Sequence, residues 1–99
     1  LAETQESISK WAVDTFGVAG TDLSVAIRAN NEMAELLTAL AEDDNHPKAP
    51  EECADIIIVL MRIFARRGVN FWDVVEEKMG VNRARQWRLD GKGHGYHVG

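Results

Sequence analysis

Residues 51–68, "EECADIIIVLMRIFARRG", limit what this chain can fold into more than any other stretch. The β-branched segment "DIIIVL" has the composition of a buried strand, but it lies inside a longer unbroken run with helix signals at both ends, so length decides for helix. At 100° per residue, Cys53, Ile57, Leu60, Met61 and Phe64 cover one side of that helix, and Ile56 and Ile63 widen it. Ile58 and Ala65 carry the apolar surface round the other way. A surface helix of a small monomer needs a single apolar stripe, and this one is apolar nearly all round. The chain has 99 residues, enough for one domain (1–99) with little core to spare. A second subunit covering the remainder is therefore expected, as a homodimer or homotetramer with the second and third helices at its centre.

The flanking segments read as three further helices. Residues 3–16 place Ile8, Trp11, Ala12 and Phe16 on one stripe, and "GVAG" interrupts them. Thr21 is predicted to cap a second helix reaching about Asp43, with Ala26, Ala29, Met33, Leu36, Leu37 and Leu40 as its apolar face. "DDNHPKAP" breaks the chain, and Pro50 suits the first turn of the third helix. Arg66 and Arg67 favour that helix's C-terminal dipole, and Gly68 is expected in a left-handed cap. Asn70 caps a fourth helix running to Arg85 or Trp87, despite about 1 kcal/mol lost at Gly80. The closing "DGKGHGYHVG" is predicted to be irregular, with residues 88–99 a flexible tail. No strand is needed, and the expected fold is a compact all-α four-helix bundle completed by oligomerisation.

Charge and cysteine usage narrow the function classes. A net charge of −5 argues against a general nucleic-acid binder, which needs a basic surface to neutralise phosphates. It leaves room for a small anionic substrate, because metal ions can reverse the sign of a site. Cys53 is the single cysteine, so no intrachain disulfide forms, and a reducing, cytoplasmic setting is expected. No charged-then-apolar leader opens the sequence and "ADIIIVLM" is too short to span a bilayer, so no membrane partner is expected.

Glu52 and Asp55 break the apolar surface of the third helix, pointing within about 60° of each other. The same spacing puts Arg28, Glu32 and Glu35 along one flank of the second helix. A short loop joins the two helices, which should lie antiparallel and adjacent. Carboxylates gathered beside an apolar seam repel one another and lose hydration, which is costly unless cations hold them. Arg28, Arg62 and Arg66 are one source of such cations, and hard divalent ions such as Mg2+ or Mn2+ are the other. On the fourth helix Lys78, Asn82 and Arg85 share the face carrying Phe71, Val74 and Val75. Basic and amide donors opposite a carboxylate–metal cluster suit a polyphosphate.

At these residues the chain resembles the MazG-like all-α nucleoside triphosphate pyrophosphohydrolases. Their E-x-x-E and E-x-x-D pairs match "EMAE" (Glu32, Glu35) and "ECAD" (Glu52, Asp55), separated by sixteen residues. "KMGVNRAR" is similar to the family's Lys, Asn and Arg motif at Lys78, Asn82 and Arg85, so the likeness spans residues 21–86. The resemblance implies Mg2+-dependent hydrolysis of a (deoxy)nucleoside triphosphate to the monophosphate and pyrophosphate, with Mn2+ as a substitute ion. It implies Glu32, Glu35, Glu52 and Asp55 as metal ligands, and Lys78, Asn82 and Arg85 as catalytic groups holding the triphosphate.

Base recognition needs stacking surface, for which Trp11, Phe16, Trp72 and Trp87 are candidates, Trp11 and Trp87 first because they lie near segment ends. His94, Tyr96 and His97 lie in the tail, which has no counterpart in the resemblance. Two other readings compete with the hydrolase: a non-enzymatic helical interaction module, and an inactive member of the resembled family. A di-metal redox bundle would ask for Glu-x-x-His ligands, and no histidine falls in the second, third or fourth helix.

Overall fold

The computed structural model describes residues 2–98. Four helices, α1 (Gln5–Phe16), α2 (Asp22–Glu42), α3 (Ala49–Arg66) and α4 (Phe71–Ala84), precede two short strands, β1 (Gln86–Leu89) and β2 (Gly95–Val98). The helix starts have local causes. Thr4 opens α1 with a capping box shared with Ser7. The Thr21 hydroxyl accepts from the Ser24 N–H at 3.0 Å, and Asn70 Oδ1 accepts from the N–H groups of Trp72 and Asp73. α3 begins without a side-chain cap and relies on Pro50 in its first turn. After it Gly68 takes the left-handed conformation (φ 67°), one that a β-carbon would strain.

α3 is the axis of the molecule. α2 packs along it most extensively, and α1 packs on another of its sides. Arg66 and Arg67 both pair with Asp22 at the start of α2, while Glu32 in mid-α2 meets Asp55 near the start of α3. The two helices therefore run antiparallel. Arg66 also donates to the carbonyls of Ala19 and Gly20, and Arg62 to that of Gly17, so two arginines of α3 hold the α1–α2 linker through three hydrogen bonds. These side chains were expected to serve the acidic cluster or the α3 dipole, and the structure turns Arg62 and Arg66 to the linker instead. At the start of α1 the Gln5 side chain bridges the α3–α4 linker, donating to the Val69 carbonyl (2.8 Å) and accepting from the Phe71 N–H.

The interior is small. Ala12, Val25, Ala29, Leu36 and Ile56 are its buried apolar residues, and the buried line on α2 is Val25, Ala29, Glu32 and Leu36. This line lies beside the predicted face: Met33 and Leu37 are exposed, because α3 approaches from the side carrying Val25 and Glu32. On α3 itself only Ile56 is buried, and Ile57 is exposed. α4 touches the body through Phe71 on Phe64 (ring centroids 5.3 Å apart), and no helix packs along its length. The accessible surface, 7830 Å2, compares with about 5600 Å2 for a folded monomer of 11.0 kDa. The radius of gyration is 16.1 Å, against about 13 Å for a compact chain of this length.

One expectation is corrected outright. The end of the chain, read as irregular and strandless, forms an antiparallel hairpin pairing Gln86 with Val98 through Leu89 with Gly95. Its turn is tied by Asp90, whose Oδ1 accepts from the N–H groups of Lys92 and His94, and Gly91 and Gly93 supply positive φ (77° and 85°). A β-carbon at Gly95 would lie 2.8 Å from the Arg88 carbonyl, so the cross-strand approach itself requires glycine there. Among the described residues no helix is long and apolar enough to cross a membrane.

The Asp22 clamp makes fold stability depend on acid pH. Hydrogen bonding from Arg67 and then Arg66 outweighs partial burial and holds the Asp22 carboxyl below its usual 3.8. A depressed carboxyl stabilises the fold above the unfolded value and loses that contribution as pH falls through the folded one. Asp22→Asn should therefore melt below wild type at pH 7, and the gap should close as melting is repeated below about pH 4.

Candidate active site

Helical spacing and the antiparallel pairing of α2 and α3 bring three of the four sequence-predicted carboxylates together. One oxygen each from Glu32, Glu52 and Asp55 lies within 4.8 Å of the others. Glu32 is the buried member at 7% exposure, Glu52 is half-buried, and Asp55 is exposed. Glu35 stands outside this triad but beside Glu32, and it also faces a shallow depression with Thr38, Glu42 and His46.

Burial raises the Glu32 pKa above its usual 4.5, and the neighbouring Glu35 carboxylate adds to the rise. Asp55 contributes in the same direction, and Arg28, 2.7 Å away, opposes it. Without a cation the cluster therefore repels itself. Several carboxylate oxygens from adjacent rigid helices, one of them largely desolvated, form a donor set that fits a hard divalent ion such as Mg2+ or Mn2+. Neither sulfur nor imidazole belongs to the group, which disfavours softer metals.

Next to the carboxylates a cavity of about 540 Å3 opens between α1, α2 and α3. Trp11 and Phe16 line one part of it, set edge to face with centroids 5.5 Å apart, and Ser24, Arg28, Glu32, Asp55 and Arg62 line the rest. Its size suits a nucleotide-sized ligand. Trp11 is thus placed where a stacking surface was predicted. Phe16, a stacking candidate placed behind Trp11, lines the cavity as well, and Ser24 in the first turn of α2 was not singled out.

The predicted residues of α4 and beyond are elsewhere within the chain. Lys78, Asn82 and Arg85 line neither this cavity nor the carboxylate group. Trp87 donates from Nε1 to the Asn82 carbonyl (3.0 Å) and lies edge to face with His97, bordering a separate hollow in the hairpin. Trp72 is exposed and meets Phe71 edge to face. A single chain therefore unites the carboxylates with one aromatic pair, and keeps the Lys-Asn-Arg face apart from them.

Comparison with known proteins is consistent with this geometry. Residues 4–95 match the family model described as dATP/dGTP pyrophosphohydrolase. The chain is also 27% identical over 100 residues to the dATP/dGTP diphosphohydrolase of Cyanophage S-2L, covering 99% of this chain and 88% of that protein. No solved structure matches. With nearly its whole length matched, and with three of the four acidic residues meeting beside an aromatic cavity, this chain belongs to the dATP/dGTP pyrophosphohydrolase family.

Proposed function

We propose that the protein hydrolyses a purine deoxynucleoside triphosphate between the α and β phosphates, releasing the monophosphate and pyrophosphate. The observation that carries this reading is the meeting of Glu32, Glu52 and Asp55 at the edge of a cavity walled by Trp11 and Phe16. The family description names dATP and dGTP, and a flat aromatic wall suits their bases. When bound, Mg2+ or Mn2+ would polarise the α-phosphate and stabilise the charge of the departing pyrophosphate. Glu32, Glu52 and Asp55 would hold it. Glu35, at the rim of the cluster, takes the proton of the attacking water as the new oxygen–phosphorus bond forms. The bond from the α-phosphorus to the bridging oxygen breaks, and that oxygen leaves with the pyrophosphate.

Pyrophosphate needs cations of its own, and α4 carries Lys78 and Asn82, with Arg85 just past its end, while no helix packs along it. In this reading a second copy of the chain brings its α4 to the first copy's carboxylates. The surface excess supports such an assembly: about 2200 Å2 beyond the monomer expectation falls in the range an obligate homodimer removes per subunit, about 1000–2500 Å2. Exposed Ile57, Met33, Leu37, Val74 and Met79 supply an apolar component for that contact. Trp87 belongs to the neighbourhood of α4 and would accompany it.

Two measurements test the reading. Phosphorus NMR of purified protein with Mg2+ and dATP or dGTP should show pyrophosphate and monophosphate, and Glu52→Gln or Asp55→Asn should lose at least about 100-fold in turnover while remaining helical. Release of orthophosphate as the first product would overturn the reaction class. The second uses stability. Glu32→Gln removes a buried, self-repelled charge, so without divalent ions it should melt no lower than wild type at pH 7. Adding Mn2+ should raise the wild-type melting temperature by linkage and the variant's far less. Equal shifts would remove Glu32 from the metal site.

A further inference from the structure

We infer that Arg28 is an exchangeable cation of the site: it pairs with Glu32 until the divalent ion binds, then turns to the α-phosphate of the nucleotide. The inference rests on the proposed hydrolysis and adds to it a residue outside both acidic pairs and the Lys-Asn-Arg face. Arg28 lies one helical turn before Glu32 on α2 and reaches it with Nη2, 2.7 Å from Oε1. The two partners differ sharply in environment. The Arg28 side chain is 62% exposed and that of Glu32 only 9%, so the guanidinium stands in the mouth of the cavity and can swing while the carboxylate cannot. The contact uses a single guanidinium nitrogen, which leaves the fork that suits phosphate oxygens largely unspent.

Position along α2 sets which phosphate it meets. The cavity follows this helix from Ser24 to Glu32, about 12 Å at the helical rise. Trp11, Phe16 and Ala19 also line it, with Trp11 against Phe16, and Asp55 stands beside Glu32. In this proposal the nucleotide sets its base on the aromatic pair and its α-phosphate by the carboxylates. Arg28 lies midway, one turn from each end, beside the sugar-to-α-phosphate segment and away from the outer phosphates. Its competitor for Glu32 is the metal, since both need the same carboxylate charge. Binding of the ion therefore frees the arginine where the α-phosphate arrives.

The test compares wild type, Arg28→Ala and Arg28→Lys in full-length protein, by calorimetry and without turnover. Mn2+ alone should bind Arg28→Ala more tightly than wild type, by a factor of several, because its competitor is gone. With Mn2+ saturating, an α,β-imido deoxynucleoside triphosphate and the plain monophosphate should both bind Arg28→Ala roughly tenfold or more weakly, by similar factors, as loss of a charged hydrogen bond requires. Arg28→Lys should recover part of this. Unchanged or weaker Mn2+ binding in Arg28→Ala would overturn the exchange, and so would a loss confined to the triphosphate, which would place the arginine on the outer phosphates. Unchanged nucleotide binding would make Arg28 an ordinary helix-surface partner of Glu32. Melting curves in the absence of metal confirm that each variant is folded, as expected for so exposed a side chain. Failure of wild type to hydrolyse any triphosphate would count against the proposed reaction, whereas the binding differences report on Arg28 alone.

Discussion

The antiparallel pairing of α2 and α3 is the constraint from which the rest follows. Clamped at one end by Arg66 and Arg67 on Asp22, it fixes the register that brings Glu32 against Glu52 and Asp55 farther along. One slip of a turn would leave each acidic pair as solvated surface, the ordinary fate of such pairs. The same clamp holds the α1–α2 linker through Arg62 and Arg66, and that linker positions Phe16 and Ala19 over the cavity. Site and fold are thus stabilised by one set of contacts. The cluster itself opposes folding while it is empty of cations, since Glu32 is buried among like charges. Stability is given up locally where the chemistry needs charge.

A second constraint acts on the outside. α3 is apolar round most of its circumference, yet α1 and α2 cover too little of it to bury more than Ile56. α4 carries its own exposed apolar residues and its cations away from the body. Both deficits are met together if copies of the chain cover one another, which makes assembly and completion of the phosphate site a single event.

Much of this was legible in the sequence. Caps at Thr21, Asn70 and Gly68 stand where short-range chemistry put them, because each depends on one side chain and its nearest backbone. The acidic triad was legible because helical spacing and a short loop suffice to bring it together. Glu35 was grouped with it by spacing, but the triad closes without it, since its place on α2 lies a further 60° or so round the helix. The burial line of α2 was legible in part: Ala29 and Leu36 are buried as expected, Met33 and Leu37 have the hydropathy of a core yet are exposed, and only the approach of α3 shows that Val25 and Glu32 face inward. The hairpin was missed because its strands are four residues each and its glycines read as disorder, although Asp90 with Gly91 and Gly93 is turn chemistry. Lys78, Asn82 and Arg85 were expected opposite the carboxylates, and within one chain they lie apart from them, because no helix packs along α4.

The account stands or falls on whether carboxylates and cations come from different copies. Co-expression of Glu52→Gln with Arg85→Ala tests it directly, with each variant inactive by itself and the mixed assemblies purified through two different tags. If sites are shared between copies, one of the two sites of each mixed pair regains an intact cluster and an intact α4, and turnover of the purified mixed pairs should return to about half of wild type. A mixture as inactive as its two components, from a wild type that does hydrolyse the triphosphate, would contradict it.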